Sequence, residues 1–281
     1  MKIIECPRDA MQGLADFIPT EQKIDYINAL LKVGFDTIDF GSFVSPKAIP
    51  QMRDTKEVLA GLDLSETKSK LLAIIANQRG AEEAVKFGEI DYLGFPLSIS
   101  ETFQQRNTNK SIEEALQTVE RIYQLCNVNS KKLVVYISMG FGNPYDEPYS
   151  SEIVIDFVKK LDKMGIEIIS LSDTIGNAIP ELIGSLFSSL IPALPHIEFG
   201  AHLHSTPELA SNKIVAAYEA GCKRFDGAIG GMGGCPMAKD DLTGNIGTEI
   251  IIGTLKGLEV PTHINMSAFM EAEQMKMDVF G

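Results

Sequence analysis

Glu198-Phe199-Gly200-Ala201-His202-Leu203-His204-Ser205-Thr206-Pro207 is the stretch from which the fold is read. Glu198–His204 has the character of a short strand, on which residues two apart point the same way. His202 and His204 therefore share a face. Thr206 followed by Pro207 reads as an N-cap with proline at the first helical position. The helix expected over Pro207–Ala220 stops before Gly221, a residue suited to the position after a helix C-terminus. The segment is a strand-to-helix unit with two imidazoles where the strand ends.

The same unit recurs along the chain. Strands are expected at Lys2–Cys6, Thr37–Phe40, Leu71–Ile75, Tyr92–Leu97, Leu133–Ser138, Glu167–Leu171, Glu198–His204 and Arg224–Ala228, eight in all. Helix-like segments separate them. Glu21–Val33 carries Ile24, Ile27, Leu30 and Leu31 at helical spacing, with Thr20 read as its N-cap. Ser111 with Glu114 three residues later is a capping box. Ser150–Met164 ends at Gly165, and Gly244–Leu258 closes the series. Alternating strands and helices imply a parallel sheet, and eight strands close a barrel. The alternative, an open doubly wound sheet, calls for a glycine-rich phosphate turn after the first strand, but Pro7-Arg8-Asp9 stands there. The fold expected is an α/β (β/α)8 TIM barrel, one catalytic domain over residues 1–281. A short helical extension from His263 packs on the barrel or on a second subunit.

Bulk composition narrows the function. The chain has 281 residues, 44% of them hydrophobic, so a large core needs no staples. A net charge of -13 opposes nucleic acid and anionic membrane surfaces as partners. It leaves room for a small anionic substrate at a locally cationic or metal-bearing site. Cys6, Cys126, Cys222 and Cys235 form no C-x-x-C pair or disulfide framework, which suggests reduced thiols in a cytoplasmic protein. No apolar leader or membrane-length run is found.

Catalytic groups of such barrels stand at the C-terminal strand ends, and that rule selects the site. His202 and His204 are read as metal ligands, the other reading being two hydrogen-bonded core histidines. Arg8-Asp9 ends the first strand; a carboxylate there can bind a cation and an arginine can hold an oxyanion, or the two form a turn ion pair. Asp39 lies on the second strand, and Asp173 ends the sixth. Asn245 opens the last barrel helix, as a cap or as a ligand through its carbonyl oxygen. Gly230–Pro236 is glycine-rich enough for a lid, with Cys235 as a proton donor or acceptor, or else a plain linker. Asp9, the two histidines and Asn245 make a nitrogen–oxygen set without thiolate, which suits Mg2+ or Mn2+ better than zinc.

Separated motifs add a resemblance. They are Pro7-Arg8-Asp9-Ala10-Met11-Gln12, Ser42–Lys47 with Pro50-Gln51-Met52, Ser170–Gly176, the histidine pair, Gly233-Gly234-Cys235-Pro236, and Gly244-Asn245 with Thr248-Glu249. Across nearly its whole length the chain resembles the 3-hydroxy-3-methylglutaryl-CoA lyase family, within a superfamily of metal-dependent barrel lyases and synthases. The resemblance implies an acyl-CoA substrate cleaved to acetyl-CoA and acetoacetate. It implies that Asp9, His202, His204 and Asn245 hold the metal, that Arg8 stabilises the enolate and that Cys235 protonates it. Asp39, Asp173 and Glu249 would orient these groups, and Gln12 and Ser170 would join Arg8 at the substrate. A homodimer is the assembly expected. Three positions differ from the family pattern: Cys6 replaces a glycine, Asp39 replaces a glutamate, and the stretch from Cys235 to Asn245 is one residue longer.

Three other readings compete. A synthase condensing an acyl-CoA with a 2-oxo acid often carries an extra C-terminal region. A metal hydrolase of the amidohydrolase kind places its H-x-H pair on the first strand. A degenerate, non-catalytic barrel predicts lost ligand positions.

Overall fold

A computed structural model describes residues 1–234 and 243–280. Eight parallel strands close a barrel in sequence order: β1 (Lys2–Glu5), β2 (Thr37–Ser42), β3 (Lys70–Ile74), β4 (Ile90–Ser98), β5 (Lys132–Ser138), β6 (Ile168–Asp173), β7 (Glu198–Leu203) and β8 (Arg224–Gly227). The helices are α1 (Pro7–Gln12), α2 (Thr20–Leu31), α3 (Thr55–Ala60), α4 (Gln78–Ala84), α5 (Glu101–Thr108), α6 (Ile112–Val128), α7 (Ser151–Lys163), α8 (Pro180–Ala193), α9 (Pro207–Glu219), α10 (Thr248–Gly257) and α11 (Met266–Phe280). The expected TIM barrel with a C-terminal helix is what forms.

Strand alternation sorts two environments. Leu71, Ala73, Leu93, Phe95, Val135, Ile137, Ile169 and Leu171 join the helices in the main core. Leu72, Val134, Tyr136 and Ile168 form a smaller cluster within the barrel. Around them the interior turns polar, with Ser170, Arg224 and Asp226 all buried. The register sets Gly200 beside Arg224 and His202 beside Asp226 on the adjacent strands β7 and β8. Gly200 leaves room that a side chain would crowd, because a Cβ there would stand 3.0 Å from Arg224 Cδ and 3.0 Å from Ser170 Oγ and these would have to shift.

Local signals explain several helix ends. Ser111 and Glu114 form the expected capping box on α6, and Ser150 caps α7 by accepting from Ile153 N. Gly165 and Gly221 follow α7 and α9 with φ +90 and +99, where L side chains are disfavoured. Thr206 holds the cap position of α9 without a side-chain bond.

Three local expectations need correction. Pro19, not Thr20, occupies the cap position of α2, and Thr20 Oγ1 instead donates to Asp54 Oδ2 at 2.8 Å. Arg8 and Asp9 stand on α1, a helix with proline at its start, one turn beyond the strand. The last barrel helix starts at Thr248 because Asn245 and Gly247 are extended, bridging to His204 and Ala228. The tail helix α11 packs on its own barrel: Tyr26–Phe280 and Phe35–Phe269 meet edge to face, and Asn265 N donates to Val33 O at 2.8 Å. No described helix is long and apolar enough to cross a membrane.

Candidate active site

Helix α1 presents Arg8, Asp9 and Gln12 on one face, as positions three and four apart do. Arg8 Nη1 donates to Asp9 Oδ1 at 2.7 Å and to Gln12 Oε1 at 3.0 Å, and Gln12 Nε2 donates to Asp9 Oδ1 at 2.7 Å. From β2, Asp39 takes the other edge of the guanidinium, through Nε at 3.0 Å and through Nη2. Asp39 therefore makes a direct, fork-type contact with Arg8. These bonds use four of the five guanidinium N–H groups and leave one on Nη2. All three charged side chains are buried.

Ligand atoms of Asp9, His202 and His204 lie within 4.8 Å of one another. His204 is 2% exposed, yet neither ring nitrogen makes a well-formed hydrogen bond. Burial, with His202 next, lowers its pKa to about 4, so the ring is neutral with a lone pair to offer. Burial alone would raise the Asp9 carboxyl, but Arg8 and then the histidines outweigh it, and Asp9 is held below the ordinary value. Burial pulls His202 down, but the Asp226 bond overrides it and raises the imidazole. That bond, His202 Nδ1 to Asp226 Oδ2 at 3.2 Å, leaves the other ring nitrogen for the cluster. Carboxylates play this role behind metal-binding histidines. A buried carboxylate and two imidazoles, one of them unpartnered, make a donor set that fits a metal ion.

Asn245 completes the ring of contacts. Its Nδ2 donates to Asp9 Oδ2 at 2.7 Å and to Met232 O at 2.9 Å. Turning the amide about its last torsion exchanges nitrogen for oxygen toward Asp9. Gly233 passes so close that a Cβ would lie 2.7 Å from Asp9 O and 2.8 Å from Asn245 Nδ2. Arg8, Asp9, Gln12, His202 and His204 border a cleft with Val44, Ile49 and Phe103 as its apolar lining.

The remaining expected residues fall elsewhere. The Asp173 carboxylate, at the end of β6, takes Lys213 Nζ at 2.8 Å and Ala178 N at 3.1 Å. Lys213 also donates to His204 O at 2.8 Å, so it ties Asp173 to the histidine strand. Glu249 turns back to Gly230 N at 3.1 Å and supports the loop after β8. Ser170 is buried inside the barrel below the cleft, its hydroxyl unpartnered. Cys235 lies outside the described residues. Cys6 lies buried between β1 and α1, its sulfur grouped with His202 and Asp226. The sequence reading missed Asp226, Lys213 and Arg224. Arg224 and Asp226 alternate in a short strand, which places two charges on one face.

Fold and site define a (β/α)8 barrel whose C-terminal mouth can bind a cation beside a buried arginine. The HMGL-like family model matches residues 2–275, and the chain belongs to that family. It is 35% identical over 266 residues to hydroxymethylglutaryl-CoA lyase YngG of Bacillus subtilis (strain 168), covering 95% of this chain and 88% of that protein. It is 35% identical over 275 residues to the mitochondrial hydroxymethylglutaryl-CoA lyase of Mus musculus, covering 97% and 83%. Among solved structures, an HMG-CoA lyase from Acinetobacter baumannii in complex with coenzyme A and 3-methylmalate matches with a TM-score of 0.91 at 32% identity, covering 99% of this chain and 90% of that one.

Proposed function

We propose that this protein is a divalent-metal-dependent carbon–carbon lyase that cleaves 3-hydroxy-3-methylglutaryl-CoA to acetyl-CoA and acetoacetate. The observation that carries the reading is the convergence of Asp9, His202 and His204 within 4.8 Å beside Arg8. It occurs in a chain that aligns nearly end to end with lyases of that name. The retained ligand positions speak against a degenerate barrel.

Asp9, His202 and His204 would hold the cation, joined by Asn245 once its amide oxygen faces inward. A set of oxygen and imidazole donors favours Mg2+ or Mn2+ over zinc. When bound, a divalent cation supplies a Lewis acid and a template for the C3 oxygen and the distal carboxylate. The chain's own groups do the rest. Asp226 aims His202, and Asp39 with Gln12 locks Arg8. The free Nη2–H of Arg8 is then poised for the thioester oxygen as it becomes an enolate. Loss of the C3 hydroxyl proton to a carboxylate or imidazole of the cluster makes the C3 carbonyl, breaks C2–C3 and leaves the electron pair on C2. Cys235 delivers a proton to that carbon. The described cysteines Cys6, Cys126 and Cys222 are free and buried, which supports a reducing, cytoplasmic setting.

The test is acetoacetate formation by protein stripped with chelator, then supplied with Mg2+ or Mn2+. Restored activity in wild type, abolished in Arg8→Gln and His202→Ala, is expected. No acetoacetate from this substrate, with turnover of an analogue, would correct the substrate. Activity untouched in both variants would remove the site.

A further inference from the structure

A column of alternating charge runs along the barrel axis from its N-terminal end to the metal-binding cluster. Lys2 Nζ meets Glu198 Oε2 at 2.7 Å, and Glu198 Oε1 accepts from Arg224 Nη1 at 3.1 Å. Arg224 Nε then faces Asp226 Oδ1 at 4.0 Å, and Asp226 Oδ2 meets His202 Nδ1 at 3.2 Å. Lys2 and Glu198 are part exposed at the foot, whereas Arg224 and Asp226 side chains are 0% exposed. TIM-barrel interiors are ordinarily layers of branched apolar side chains, so this column needs a reason.

Stability does not supply it. Arg224 Nε and Nη2 and Asp226 Oδ1 make no hydrogen bond, and each buried unpaired group costs about 1–3 kcal/mol. Buried ion pairs rarely repay their desolvation. The surroundings are nevertheless shaped for the arginine. Gly200 leaves open the space that Arg224 Cδ crosses, and the Tyr92 ring lies 6.0 Å from the guanidinium carbon. What the arrangement does offer is direction. Arg224 and Asp226 stand two apart on β8, so both face the axis. The guanidinium, anchored below by Glu198, faces one Asp226 oxygen, while the other reaches His202.

We infer that Arg224 is a positioning residue for the metal site: it holds the Asp226 carboxylate in the orientation that aims the His202 ring at the cation. The inference rests on the metal-binding reading of Asp9, His202 and His204. It makes Arg224 and Asp226 one unit, so loss of either should have nearly the effect of losing both.

Mn2+ binding to metal-free protein, followed by electron paramagnetic resonance of the free ion, tests this without turnover. Asp226→Asn and Arg224→Met should each weaken Mn2+ binding about 10-fold or more, the usual effect of removing a partner behind a ligating histidine. The double variant should bind as Asp226→Asn alone does, and Arg224→Lys should recover part of the affinity. A purely structural Arg224 would lower Tm, leave the Mn2+ Kd within about twofold of wild type, or add its loss in full to that of Asp226→Asn; either binding result overturns the inference. Should Arg224→Met not fold, Glu198→Gln removes the lower anchor while keeping the arginine, and unchanged Mn2+ binding in that variant also overturns it. Wild type that binds no Mn2+ would instead refute the metal reading itself.

Discussion

The Asn245 amide donates to the Asp9 carboxylate at 2.7 Å, although the two residues lie 236 positions apart. The contact ties the helix after the first strand to the segment after the last, so the cluster forms only when the barrel closes. Asp9 is then held from three sides, by Arg8, Gln12 and Asn245. Asn245→Ala should weaken Mn2+ binding about 10-fold or more. Isothermal titration of metal-free protein measures it, and an unchanged Kd would place Asn245 outside the metal site.

Arg8 grips Asp39 with one edge and Asp9 and Gln12 with another. Lysine keeps the charge but not the fork. Arg8→Lys should lower kcat by about 100-fold, the scale of losing an oxyanion donor, with a smaller change in KM. Steady-state kinetics decide, and an equal fall in binding and turnover would argue for a structural role.

Glu5 is fully buried, accepting from Ile229 N at 2.9 Å and Thr248 Oγ1 at 2.6 Å. Burial pushes its carboxyl up from 4.5 to about 8, against the pull of both hydrogen bonds. Between those values the folded chain keeps a proton that the unfolded chain has released. Stability from this group is therefore lost as pH rises from 4.5 to about 8 and is level outside that window. Glu5→Gln should remove the slope and gain on the order of 3 kcal/mol over wild type at pH 7, relative to the difference at pH 4. Urea unfolding across this range checks it; parallel pH profiles for the two proteins would refute it.

Lys213 is 1% exposed and holds Asp173 Oδ2, Gly176 O and His204 O, each within 2.9 Å. Removing one partner of a buried pair strands the other charge. Lys213→Met should cost about 3–5 kcal/mol. Asp173→Asn introduced into Lys213→Met should recover part of that loss, because the stranded carboxylate is gone. Calorimetric Tm values for the two variants test the coupling; a further drop in the double variant would show that the pair is not the cause.

Much of this fold is written in short-range pattern. All eight expected strands occur, because apolar runs between helical segments depend on neighbours only. Ser111 with Glu114, and Gly165 and Gly221, likewise act within one helical turn. Misreadings arose where distant partners compete. Thr20 bonds Asp54 from another segment instead of capping its own helix, and Asn245 and Gly247 stay extended because His204 and Ala228, just past β7 and β8, offer bridges. The site divides in the same way. Asp9, His202 and His204 stand out by residue type at or just beyond strand ends, whereas Lys213 sits in a helix whose sequence does not reveal what its ammonium will meet.

By itself the sequence determined the alternation of strand and helix, the eightfold count, and two imidazoles on one strand face. Those properties repeat every two or every 3.6 residues, so they need no knowledge of the rest of the chain. Tertiary structure decided the partnerships. Closure brought Asp226 rather than Asp173 to His202, Asp39 to Arg8, and Asn245 to Asp9. Barrel register aligns residues from separate strands, and burial then sets which groups carry charge. Both are properties of the closed barrel and of no single segment.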